Sequence, residues 1–71
     1  MSLYKVIELV GTSEHSWDDA AKQVIEEASK RLEDLRVAEV VNQDMKIEDG
    51  KVLAYRIKLK VSFKFRSGQD D

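Results

Sequence analysis

The side chains best suited to chemistry are acids around one turn and cations along one strand. Asp44, Glu48 and Asp49 cluster in sequence, and Glu8 is a further carboxylate candidate. A hard divalent cation such as calcium takes about six to eight oxygen ligands, and this run lacks the spacing of an EF-hand loop. A symmetry axis in an assembly could multiply one carboxylate into several ligands; the other reading is solvated turn acids. Arg56, Lys58, Lys60 and Lys64 alternate with apolar residues. They could meet an anion or a phosphate tail, or pair with acids such as Glu8 and Glu39. His15 lies beside Thr12 and Ser13, but this is no nucleophile–base motif, and no glycine loop could cradle a phosphate. The chain is therefore not expected to be an enzyme. Cysteine is absent, which excludes disulfides and thiolate metal sites. Trp17 reads as packing, or as a ligand-stacking group at an opening.

The elements that must position these groups follow from hydropathy periods. From Leu53 to Phe65 the chain alternates without a break: Leu53, Tyr55, Ile57, Leu59, Val61, Phe63 and Phe65 against Ala54, Arg56, Lys58, Lys60, Ser62 and Lys64. That is the period of a half-buried strand, and it would run about 43 Å if straight. Residues 3–10 read as a first strand, with Tyr4, Val6, Glu8 and Val10 on one face and Gly11 ending it. Ser16 is the expected N-cap of a helix from Trp17 to Asp34, with Ser13 the alternative. Trp17, Ala20, Ala21, Val24, Ile25, Ala28, Leu32 and Leu35 form its apolar stripe. Residues 37–47 read as a second strand. By parity Val37, Glu39, Val41, Gln43, Met45 and Ile47 share a face, although the alternation there is blurred. Glu48-Asp49-Gly50 is a turn, and residues 66–71 are a polar tail expected to fray.

The expected fold is α+β: a β-α-β-β chain, residues 1–71 forming one domain, with a three-stranded antiparallel sheet against one helix. A hairpin joins the last two strands, so the first strand lies beside the third and the order is 1-3-2. The helix spans about 27 Å and cannot cover a 43 Å strand. Large apolar groups, either Leu53 and Tyr55 or Phe63 and Phe65, are left over, and the reverse sheet face adds Val6, Val10, Val37 and Val41. Such patches mark interaction surfaces, so a homo-oligomer is expected. Net charge is −2, and the cationic face lacks interleaved aromatics, which argues against nucleic acid. No apolar run is long enough for a membrane helix, and the first residues show no signal-peptide core. A cytoplasmic location is the expectation.

The ordered set Y-K-V-I-E-L-V-G-T-S, one helix, V-A-E-V-V and K-V-S-F-K-F resembles the dodecin family over residues 4–65. The resemblance implies a sheet wrapped partly around the helix. It also implies twelve copies in a hollow shell that binds or stores a small ligand without chemistry. Many dodecins hold a flavin, FMN or riboflavin, stacked between indole rings and bonded at its edge by a glutamine. Those positions align here with Val37 and Arg56, which parity places on one face with Gln43. Losing indole stacking removes about 0.5–1.5 kcal/mol per ring pair. The stretches R-V-A, Q-D-M and Y-R-I-K-L are similar to a subgroup described as calcium dodecins, whose implied ligand is calcium. Val37, Arg56 and Gln43 are thus the candidate cofactor-binding residues, and Asp44 and Glu8 the candidate metal ligands. An assembly module without a small ligand is the third reading.

Overall fold

The long alternating stretch forms the central strand. The computed structural model describes residues 2–65. Strand β1 covers Tyr4–Ser13, helix α1 Trp17–Ser29, strand β2 Leu35–Glu48 and strand β3 Lys51–Lys64. All pairings are antiparallel and the order is β1-β3-β2, as the hairpin argument requires. Ile57, Leu59 and Val61 of β3 are buried with Ala20 of α1, and Ile7, Leu9, Trp17, Ala21, Val24, Ile25 and Leu35 pack around them. The odd face of β3 is therefore the core face and the even face is the reverse side. Asp49 and Gly50 both have positive φ, which matches the right-handed twist of the hairpin they close. The expected tail, 66–71, lies outside the described residues.

Ser16 caps the helix as expected: the Asp19 N–H donates to its Oγ at 2.9 Å. Ser13 has a different role. Its buried hydroxyl donates to Asp19 Oδ2 at 2.7 Å and accepts from the His15 N–H at 2.9 Å, tying the loop to the first helical turn.

Three expectations are corrected. Gly11 does not end β1, which runs on to Ser13 with Gly11 opposite Ile57. It faces the helix instead: a Cβ there would overlap Val24 Cγ2 and lie 3.1 Å from the Ala20 carbonyl oxygen. The glycine serves close helix–strand approach. Next, α1 stops at Ser29, short of Asp34. The Arg31 and Leu32 N–H groups both turn back to the Ala28 carbonyl, and Asp34 takes φ 61° so that Leu35 can pair opposite Phe63. Sheet register overrides helix propensity here. Finally, parity along β2 breaks. Register shifts fall between Leu35 and Val37, Val40 and Asn42, and Lys46 and Ile47. Val37 and Glu39 lie opposite Ser62 and Lys60 on the reverse face. Past the middle shift, Asn42 and Asp44 take that face, and Gln43 and Met45 turn to the helix side opposite Ile57 and Tyr55.

The overhang is real. The helix spans about 20 Å, whereas the long axis of the chain is 54 Å. Beyond the Ser13–Tyr55 pair, β3 has β2 alone as its partner. Met45, Ile47, Val52 and Leu53 are exposed on this arm, and Val6, Val10 and Val37 on the reverse face.

Candidate functional site

Rows of residues cross the reverse face from β1 through β3 to β2. They are Val6–Ser62–Val37, Glu8–Lys60–Glu39, Val10–Lys58–Asn42 and Thr12–Arg56–Asp44. Strand alternation puts Lys60 between two acids and Arg56 between Thr12 and Asp44, while Lys58 lies between Val10 and Asn42. Lys60 sits opposite Glu8 and Glu39, and Lys58 Nζ reaches Glu8 Oε1 at 3.8 Å. The cationic row is therefore matched by acids across the sheet.

The tightest contact is at the hairpin root. Arg56 grips Asp44 with two parallel bonds, Nε to Oδ1 at 2.7 Å and Nη2 to Oδ2 at 2.8 Å. Such a fork is the strong form of an arginine–carboxylate pair. The hydrogen bonds from Arg56 hold the Asp44 carboxyl below its ordinary value, and Asp44 raises the guanidinium in return. Sequence alone points to Glu8 or Glu39 as the partner of Arg56. The register shift between Val40 and Asn42 brings up Asp44 instead.

Trp17 joins the same point from the helix. Its Nε1–H donates to the Asp44 carbonyl oxygen at 3.0 Å, and its ring meets Tyr55 edge-on with centroids 5.1 Å apart. Trp17 is half-buried and His15 is exposed. This three-way junction was not anticipated, because it depends on a bulge that composition does not reveal.

One chain does not bring the expected site residues together. Val37 and Arg56 share the reverse face but lie six residues apart along β3, a distance of about 20 Å. Gln43 is on the opposite face. Glu8 and Asp44 flank β3 on opposite sides, four residues out of step, or about 16 Å apart. Among the described residues no group of three or more His, Asp or Glu side chains could hold a metal ion. On the helix side, an open groove of about 780 Å³ runs between α1 and β1, floored by Ile7, Leu9, Val24, Ala28 and Leu32.

Acid should act on two carboxylates. Asp19 is also lowered, first by the Ser13 hydroxyl and then by Gln23. Both folded values lie below the ordinary 3.8. Their stabilisation is thus fully present above 3.8 and is lost as pH falls through the lower folded values. Melting temperature recorded from pH 6 to 2 should show this loss only in strong acid, and Asp44→Asn should flatten part of it. An equal acid loss in Asp44→Asn and Asp19→Asn variants and the parent would contradict the assignment.

One helix on a three-stranded antiparallel sheet, with the last strand central, defines an α+β class whose reverse face carries paired charges. The chain belongs to the dodecin family, whose family model matches residues 3–66. It is 48% identical over 69 residues to calcium dodecin from Mycobacterium tuberculosis, covering 97% of each chain. The crystal structure of that calcium dodecin superposes with a TM-score of 0.81 over 99% of this chain and all of its own. That protein is described as a calcium-chelating immunodominant antigen with a novel calcium-binding site. The dodecin of Streptomyces coelicolor is 35% identical, with a TM-score of 0.88 over 93% of this chain and 94% of its own. Among the described residues no helix is long and apolar enough to cross a membrane.

Proposed function

We propose that the protein is a non-catalytic, homo-oligomeric binding or storage protein of the cytoplasm that takes calcium as its ligand. The observation that carries this reading is the 48% identity, over nearly the whole length, to a protein named calcium dodecin. Calcium takes about six to eight oxygen ligands, more than the described residues of one chain bring together, so on this reading the ion would sit where copies meet. Glu8 is the better-placed ligand, because its contact with Lys58 is loose at 3.8 Å, whereas both Asp44 oxygens are already held. Twelve copies, the family arrangement, would cover the exposed valines of the reverse face and the apolar arm.

A flavin, FMN or riboflavin, is the weaker reading. Val37 is 63% exposed and its neighbours across the sheet are Ser62 and Val6, so no aromatic ring stands beside it in this row. Arg56 directs its fork at Asp44. An assembly module without a small ligand is the remaining reading.

Calorimetric titration of chelator-treated protein with calcium separates the three. Binding heat together with a rise in melting temperature is expected, with no quenching of added riboflavin fluorescence. Absence of both heat and a thermal shift would overturn the calcium reading. Riboflavin quenching at micromolar protein would establish the flavin reading in its place.

A further inference from the structure

Two leftover surfaces of the chain are complementary in shape. The first is concave: the groove of about 780 Å³ between α1 and β1, with Leu9, Val24, Ala28 and Leu32 on its floor. It runs from Gly11, which lies under Val24, toward the helix end, where Leu35 pairs opposite Phe63. The second is convex: the β2–β3 arm beyond the Ser13–Tyr55 pair, which projects the other way. An arm therefore cannot fill the groove of its own chain. Ile47 and Val52 stand directly opposite each other on the arm as one apolar step, 63% and 45% exposed. A two-stranded ribbon is marginal alone and needs packing against a further element. Burial of this step on an apolar floor supplies that packing.

Charge sets the direction of entry. On the groove rim Lys30 and Arg31 share one acid, Glu27, at 3.4 and 3.7 Å, which leaves that end net positive. Glu26 lies one turn earlier on the same rim. On the arm, Glu48 and Asp49 at the tip outnumber Lys51, and Lys46 lies two residues behind Glu48. The step from Lys46 to Glu48 is about 7 Å and that from Glu26 to Lys30 about 6 Å. The two patterns match when the tip points to the helix end.

We infer that the arm of one copy seats in the α1–β1 groove of the next, with Ile47 and Val52 on the floor and Glu48 and Asp49 against Lys30 and Arg31. The contact rests on the homo-oligomer proposed above and names the surfaces that build it. It is heterologous: each copy gives an arm and receives one, so the repeat closes into a ring.

The chain has no cysteine, so engineered pairs report without background. Ile47→Cys with Leu32→Cys in one chain, treated with a short bismaleimide after assembly, should give a ladder of linked chains on a denaturing gel. Glu48→Cys with Lys30→Cys, both at exposed positions, is a second pair that a core defect cannot silence. No single variant should give a ladder, because each surface meets the other and not itself. In the Ile47–Leu32 pair, Lys30→Glu with Arg31→Glu should slow linking by up to about fivefold, and adding Glu48→Lys should recover part of it. A ladder from Ile47→Cys alone would mean arm against arm and would overturn the contact. So would a ladder from Ile47→Cys with Val10→Cys on the reverse face and none from the groove pairs. A parent assembled by native mass, with both groove pairs unlinked, overturns the contact and leaves the oligomer standing. A monomeric parent removes both. A ladder formed under chelator, in protein that gives no calcium heat, upholds the contact and removes the calcium reading alone.

Discussion

Leu59→Ala is expected to cost about 2–5 kcal/mol, the largest loss of any single side-chain truncation considered for this chain. Leu59 is 2% exposed at the centre of β3, between Leu9 on β1 and Val40 on β2, in the cluster that Ala20 joins from the helix. Removing its branched end withdraws buried apolar surface and leaves a cavity that a rigid three-stranded sheet closes poorly. A core this small rarely supplies more than about 3–5 kcal/mol in total. The variant should therefore be largely unfolded unless assembly holds it. The control is the adjacent residue. Lys58→Glu places an acid beside Glu8 and removes a loose, half-exposed ion pair. Such pairs are worth about 0–1 kcal/mol, so the fold should survive while pairing across the reverse face, or assembly, is disturbed. Urea unfolding followed by circular dichroism checks both. Equal losses for the two variants would mean that the faces of β3 have been assigned the wrong way round.

Gly11→Ala is the second large effect, at about 1–3 kcal/mol. Ordinarily Gly→Ala in extended backbone gains about 0.4–1 kcal/mol by restricting the unfolded chain. Here that gain is outweighed. The added methyl overlaps Val24 Cγ2 and comes within 3.1 Å of the Ala20 carbonyl oxygen. Val24 can rotate or shift, but the helix backbone at Ala20 cannot move without lifting α1 off the sheet. The helix must rise or the edge strand must bend. Combining Gly11→Ala with Val24→Ala should restore part of the loss, because it removes the first overlap and leaves the second. A neutral or stabilising Gly11→Ala in thermal melts would contradict the close approach of α1 to β1.

The parts of this structure that were legible in advance are those written in long, regular periods. β3 alternates over its whole length, so its core face and an overhang past the helix followed from residue types, and its central place from the hairpin; which end overhangs did not follow, because both ends carry large apolar groups. The helix start was legible too, because Ser16 followed by Asp18 and Asp19 is a local signal whose bonds lie within one turn. What escaped depends on distant partners. Gly11 resembled a turn residue, because nothing in β1 reveals that Val24 lies over it. The helix end escaped because Leu32 and Leu35 continue the apolar stripe, and only pairing opposite Phe63 recruits Leu35 into the sheet. The candidate site was the least legible. A one-residue shift near Val41 moved Gln43 to the helix side and delivered Asp44 to Arg56. Bulges leave weak marks in composition, and every assignment of a face beyond one inherits the slip.

We propose that this chain works as an assembled shell whose ligand is calcium. Native mass spectrometry of freshly purified protein tests it most directly. The expected result is a species of twelve times the 8.2 kDa chain mass, carrying calcium-sized increments that a chelator strips and added calcium restores. A flavin-sized increment on the same assembly would contradict the choice of ligand while sparing the shell. A monomer of chain mass would contradict the account as a whole, because the exposed arm and the valines of the reverse face would then have nothing to cover them.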